Sequence, residues 1–216
     1  MSIYLDNAAT TPVCPQAAKA AYEAMTEGYG NPSSGYAIGQ AAAAKVKEYR
    51  AVVADRLGCL PEELTFTSCG TEGDNWAIRA AVEHGKRTGK HIITTAIEHA
   101  AVLEPLRALA AQGYEVTYLK PDKSGHVSAQ ALADALRPDT VLVSMMLTIS
   151  GHKIRAPKGI GAQYIRKGLD VKPLLLGGGQ ENGLRSGTEP TAQLAALAAA
   201  CEAWDTNAPA RMAAVK

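Results

Sequence analysis

Lys153 stands in the tetrapeptide Ser-Gly-His-Lys at residues 150–153, with a hydroxyl and an imidazole within three positions of its amine. An amine held by small residues at the C-terminal edge of a sheet can form a Schiff base with an aldehyde cofactor, and Ser150 and His152 are donors beside it. The same lysine also reads as a solvated surface residue, as most lysines do. A second candidate is LTFTSCGTEGDN, residues 64–75, where a strand-like run passes through small residues into a helical pattern. Free amides and the positive end of the helix macrodipole would place a phosphate against Gly70 and Thr71. Thr71 with Asp74 also reads as a plain capping box. His99 follows the strand-like HIITTA and could stack on a cofactor ring, relay a proton, or cap the next helix. Arg185 and Thr188, in GLRSGT, suit anion contact or a simple turn.

These residues need a scaffold that brings loop ends together, and the pattern from residue 62 onward supplies one. ELTFTS, HIITTA, YEVTYL and TVLVSMML are β-branched runs separated by helical stretches such as TEGDNWAIRAAVEHG and AAVLEPLRALAAQG. Strands alternating with helices of that length imply crossover connections, hence an α/β fold with a mostly parallel sheet and helices on both faces. Gly85, Gly89 and Gly113 follow helical patterns, where left-handed C-caps are expected. Upstream lie two helices, near 15–27 and 36–57, joined by the turn-forming GYGNPSSG. After residue 160 come a strand IGAQYIR, a glycine-rich loop and a last helix over the Ala-rich stretch 192–203. The expected division is an N-terminal arm and helical segment over 1–60 and a cofactor-binding large domain over 61–216.

Composition narrows the partners. Lys plus Arg total 22 against 21 Asp plus Glu, so no field of one sign exists to hold a polyanion, and neither nucleic acid nor an acidic membrane surface is expected. No apolar run reaches the roughly 18–20 residues that span a bilayer. Four cysteines without CxxC or metal-ligand spacing, and no basic-then-apolar leader, point to a reducing cytoplasm and to no metal site. Cys14, Cys59 and Cys201 read as packing residues.

Taken in order, IYLDNAATTP, GNPSS, FTSCGTEGDNWAI, HIITTAIEHAAVL, GHKIRAPKGIGA and GGGQENGLRSGT resemble the NifS-like cysteine desulfurases, class V enzymes of fold type I (aspartate-aminotransferase-like) dependent on pyridoxal 5′-phosphate. The resemblance implies that Lys153 carries the cofactor as a Schiff base and moves the substrate Cα proton, and that His99 stacks on its ring. Gly70, Thr71, Ser150 and His152 then hold the phosphate, and Thr188 reaches the phosphate of the other subunit in a homodimer. The implied reaction takes L-cysteine to L-alanine and passes sulfur, as an enzyme persulfide, to an acceptor or scaffold protein for iron–sulfur or other sulfur-cofactor assembly.

The departures from the family are instructive. Tyr36 replaces a usual His, Gly73 a common Ser and Ala156 a usual Gly, none of which abolishes cofactor binding. After VLVSMML the family continues with an Asn-rich loop, a helix and a strand bearing the Asp that pairs with the pyridine nitrogen; none of these is in the sequence. Also missing is the C-terminal part, a small domain with the catalytic cysteine and a carboxylate-binding arginine. Cys69 is nearest the cofactor but would face its phosphate. Two parallel strands meeting at Leu147 and Thr148 would need a crossover of a dozen or more residues and have none, so those two residues are not expected to be neighbours in the native protein. Alternative readings are a non-catalytic, cofactor-binding remnant that acts as an interaction protein, and a selenocysteine lyase or other enzyme of the same class.

Overall fold

The computed structural model describes residues 3, 4, 6, 9–146 and 154–204. Leu147, Thr148, Ser150, His152 and Lys153 lie outside the described residues, and so does the junction question they raise. The helices are α1 (Pro15–Thr26), α2 (Ala37–Leu57), α3 (Gly70–Gly85), α4 (Ala100–Ala110), α5 (Ala129–Ala135) and α6 (Thr191–Glu202). The strands are β1 (Leu64–Thr67), β2 (His91–Thr95), β3 (Glu115–Leu119), β4 (Thr140–Ser144) and β5 (Gly161–Tyr164), and short 3-10 turns cover Pro61–Glu63 and Glu181–Gly183. No described helix is long and apolar enough to cross a membrane.

Chain contacts divide these elements into two compact units, Met1–Phe66 with Ser150–Lys167 and Leu175–Lys216, and Thr67–Ile149 with Gly168–Leu174. The units are interleaved along the chain, unlike the 1–60 and 61–216 division expected from the sequence.

In the first unit the Ala-rich α6 is buried on every side, with Leu194, Ala195, Ala196, Ala198 and Cys201 all below 5 % exposure. Alanines let helices approach closely, so Ala17 of α1 packs with Ala196 and Ala200, while Val46, Val53 and Ala54 of α2 pack with Leu64 and Phe66 of β1. β1 pairs with β5. The packing role expected for the cysteines holds for Cys14 and Cys201, which are buried, and Cys59 lies partly buried against the same core. Burial pushes the Cys201 and Cys59 thiols up, which keeps them protonated and inert.

In the second unit β2 is the central strand of a parallel sheet of order β3-β2-β4, and all five of its residues are buried. Its β-branched run HIITT suits a strand covered on both faces. Ile78 and Val82 of α3 and Val102 and Leu106 of α4 pack on Ile92. His91 sits fully buried at the start of β2, its Nδ1 2.7 Å from Thr140 Oγ1 and its Nε2 2.9 Å from Thr117 Oγ1, which satisfies both ring nitrogens and ties β2 to both neighbours. The indole Nε1–H of Trp76 donates to the Lys172 carbonyl at 2.9 Å, anchoring 168–174 on α3.

Two of the three expected left-handed glycine caps take another form. Gly113 has φ +87°, as a C-cap should, but Gly85 is the last residue of α3 and neither it nor Gly89 has positive φ. A Cβ on Gly85 would stand 2.6 Å from Val141 Cβ, and one on Gly89 would stand 2.3 Å from the Asp139 carbonyl oxygen. Both glycines are there for the close approach of β4, which no local pattern announces.

Arg137 joins the edge of this sheet to its loops. Its guanidinium meets Asp139 at 2.8 and 2.9 Å and Glu115 at 2.7 Å. These hydrogen bonds depress the Glu115 and Asp139 carboxyls below their usual values. A depressed carboxyl contributes stability that is present above its unfolded pKa and lost as pH falls through the folded one. Acid titration from about pH 4 downward, where free carboxylates begin to protonate, is therefore expected to loosen this edge, and Asp139→Asn with Glu115→Gln is expected to flatten that pH dependence. An unaltered acid melting curve in the double variant contradicts the assignment.

Candidate functional site

Helix α3 starts at Gly70 with Cys69 as N-cap and no side-chain cap. The Thr71–Asp74 capping box is therefore not formed: Thr71 is already inside the helix, and the first turn is closed instead by Ser68, whose amide donates to Glu72 Oε2 at 3.1 Å and whose hydroxyl also donates to it. The amides of Gly70 and Thr71 reach no acceptor among the described residues, and a Cβ on Gly70 would meet nothing within 4 Å. Both residues are exposed at the positive end of a 16-residue helix. A phosphate fits there on charge, on donors and on space.

His99 is the N-cap of α4, and its Nδ1 accepts from the Ala101 amide at 3.0 Å. An accepting Nδ1 fixes the neutral tautomer with its proton on Nε2, so the ring presents an N–H outward while its other edge is held. The helix-capping alternative is thus realised, and His99 is exposed. The N-terminal ends of α3 and α4 adjoin: Asn75 Nδ2 donates to the Ala101 carbonyl at 3.4 Å. Asp74, on the same stretch of α3, has its carboxyl pushed up by burial and by the charge of Glu98, against the opposing effect of His99.

Glu98 is a site neighbour that the sequence reading passed over. It is 8 % exposed, and its Oε1 accepts from Thr95 Oγ1 at 2.8 Å and from the Met146 amide at 2.7 Å. A buried carboxylate thus fixes the backbone just after β4. Its only sequence signal was a charge between two otherwise strand- and helix-like runs.

Thr188 lies in the first unit, in the loop 177–189, where it is exposed and its hydroxyl has no hydrogen bond among the described residues. That loop is held firmly. Glu181 and Asn182 take positive φ of +51° and +57°, and Glu181 forms a buried bidentate pair with Arg50, Oε1–Nη2 2.6 Å and Oε2–Nη1 3.0 Å. Glu181 Oε2 also accepts from the Phe66 amide at 2.9 Å, while Arg50 donates to the Leu64 carbonyl and lies 4.6 Å over the Phe66 ring. Arg50 was legible in principle, since it falls four residues after Val46 on the buried face of α2. A cavity of about 300 Å³ opens beside the pair, lined by Ser33, Lys47, Gln180, Asn182 and Glu189 among others.

The sequence profile of the aminotransferase class-V family matches residues 3–148 and 145–214. Cysteine desulfurase IscS of Methanosarcina thermophila is 39 % identical over 249 aligned positions, covering 93 % of this chain and 62 % of that protein. Among solved structures, a NifS-like protein superposes with a TM-score of 0.87 at 33 % identity, covering 94 % of this chain and 70 % of that one. SspA, solved in complex with cysteine, gives 0.86 at 31 % identity, covering 99 % and 76 %. The chain thus spans less than two thirds of the length of the curated relatives it matches.

The alignment also bears on residues 147 and 148. Ninety-three per cent of 216 residues is about 201, so 249 aligned positions leave roughly 48 with no residue of this chain opposite, well above the dozen that a parallel crossover needs. The two matched segments of the family profile meet at 145–148, the same junction. Pyridoxal 5′-phosphate is the cofactor on which this family depends, and the Gly70–Thr71 helix end and the His99 ring are suited to its phosphate and its ring. Matched across nearly its whole length, with the fold of NifS-like proteins, the chain belongs to the aminotransferase class-V family.

Proposed function

We propose that the protein to which this chain belongs is a cysteine desulfurase, converting L-cysteine to L-alanine and handing the sulfur on for iron–sulfur cluster or other sulfur-cofactor assembly. The observation that carries the proposal is the pairing of an open, donor-lined α3 N-terminus with His99, capped through Nδ1, on adjoining helix ends. It is supported by 39 % identity to a cysteine desulfurase and by likeness to a protein solved with cysteine.

Pyridoxal 5′-phosphate, when bound, supplies an aldehyde for the substrate amine and a ring that withdraws electrons from Cα. The chain's own residues do the rest. Gly70 and Thr71 bind the phosphate through their amides, with Ser150 and His152 as further donors. His99 lies against the ring, oriented by the Ala101 amide. Lys153 holds the cofactor through Nζ and moves the substrate Cα proton with the same amine. Thr188 reaches the phosphate bound by a second copy of the chain, which makes the working protein a homodimer. Sulfur leaves when an enzyme thiolate attacks the substrate sulfur: an S–S bond forms, the C–S bond breaks, its electron pair stays on carbon and is protonated, and alanine departs.

Reduction with borohydride after soaking with pyridoxal phosphate is expected to leave a stable pyridoxyl adduct on the peptide containing Lys153, because reduction turns the reversible linkage into an amine. Peptide mapping that finds the adduct on Lys158, or on no lysine, defeats the assignment.

A further inference from the structure

Gln180 is half-buried in a loop rich in glycine, and both ends of its side-chain amide are engaged. Its Oε1 accepts from the Gly187 amide at 2.9 Å, and its Nε2 donates to Ser33 Oγ at 3.1 Å. The accepting end is fixed by the Gly187 N–H, which sets the orientation of the amide. A Cβ on Gly178 would stand 2.8 to 3.3 Å from the same amide, so the side chain lies directly over the loop backbone. Gly187 has φ +125°, a conformation that side-chain-bearing residues rarely adopt, and the next residue is Thr188.

The loop has a second set of ties. Ser186 donates its amide to the Leu175 carbonyl at 3.0 Å and accepts the Gly179 amide on Oγ at 3.2 Å. Arg50 and Glu181 fasten the residue after Gln180 to α2 and β1. Gly177, Gly178, Gly179, Gly183 and Gly187 would otherwise leave this segment with wide backbone freedom. The Gln180 side chain spans from this anchored end to Gly187.

We propose that Gln180 is a positioning residue: by holding Gly187 and Ser33 together it presents the Thr188 hydroxyl outward in one fixed place. This rests on the reading that Thr188 contacts a phosphate held by a second copy of the chain. A hydroxyl already in place gives up less freedom on contact, so the phosphate is held more tightly.

The test is equilibrium titration of the full chain with pyridoxal phosphate, read by the cofactor's visible band, with melting temperature measured in parallel. Gln180→Ala is expected to weaken binding about fivefold, the size of one lost hydrogen bond, at an unchanged melting temperature. Gln180→Glu keeps the acceptor for Gly187 and is expected to restore most of the affinity. Thr188→Val is expected to match Gln180→Ala, and the double variant to be no weaker than Thr188→Val alone, because the two act through one contact. If Gln180→Ala does not fold, Ser33→Ala removes one of its two bonds from an exposed loop and should weaken binding about twofold. Unchanged affinity in Gln180→Ala beside a weakened Thr188→Val overturns the proposal and leaves the reading of Thr188 standing. Unchanged affinity in Thr188→Val overturns both.

Discussion

A polypeptide of these 216 residues alone is expected to release no measurable sulfide from L-cysteine, with turnover at least about a thousandfold below that of a complete desulfurase, since losing a covalent nucleophile typically costs that much or more. The proposed reaction needs a thiolate that can reach the substrate sulfur. Cys14 and Cys201 are buried and Cys59 is partly buried in the core, which leaves Cys69 as the exposed thiol. Cys69 is the N-cap of α3, at the end where the phosphate is proposed to bind, so it faces the wrong part of the cofactor. Nor does any carboxylate in the sequence stand in the family's motif for the pyridine nitrogen. Steady sulfide release at rates like those of full-length relatives would remove this expectation, and alanine production should be followed in parallel to separate the two half-reactions.

The sheet gives the same answer on independent grounds. β4 pairs with β2 along one edge, and no strand is paired with its other edge among the described residues. Its sequence TVLVS is that of a strand covered on both faces, yet none of its five residues is fully buried and Val143 is 39 % exposed. β2, of similar composition, is buried throughout. An apolar parallel strand with one open edge is a seat for a further strand. The two matched segments of the family profile meet just after β4, at 145–148, where a crossover helix and such a strand would enter. Restoring a family-like segment between Leu147 and Thr148 is therefore expected to recover cofactor affinity before it recovers turnover, because the thiolate would still be missing.

Much of this could be read from the sequence, and the parts that could not share a physical reason. Helices α1 and α2 fall within a residue or two of their expected bounds because Pro15 and Gly58 are local signals, and Gly58 does take the left-handed cap with φ +71°. His99 does cap α4, one of the readings that its place between a strand-like and a helical run allowed. Gly85 and Gly89 were misassigned because their role is set by Val141 and Asp139, some 50 residues away, and no local pattern encodes that approach. Gln180 and Glu181 escaped for the same reason. Their partners, Ser33, Arg50 and Phe66, are more than 100 residues distant, so a glycine-rich loop that reads as flexible is in fact held by long-range polar contacts.

Glu181 carries the second large expectation. Glu181→Ala is expected to cost about 3–5 kcal/mol, the range found when one partner of a buried ion pair is removed and the other is left behind. The side chains of Arg50 and Glu181 are only 17 % and 4 % exposed, so solvent screens the pair little. The substitution strips Arg50 of both carboxylate contacts and leaves the Phe66 amide without its acceptor inside the core. Glu181→Gln keeps the shape and an acceptor for Phe66, and should lose less. Because a buried pair is weak support relative to apolar packing, replacing both members together, Arg50→Met with Glu181→Met, should recover much of what the single change loses. Chemical denaturation of the three variants decides the matter: a double variant less stable than Glu181→Ala would mean that the pair itself, rather than the stranded guanidinium, supplies the stability of this loop.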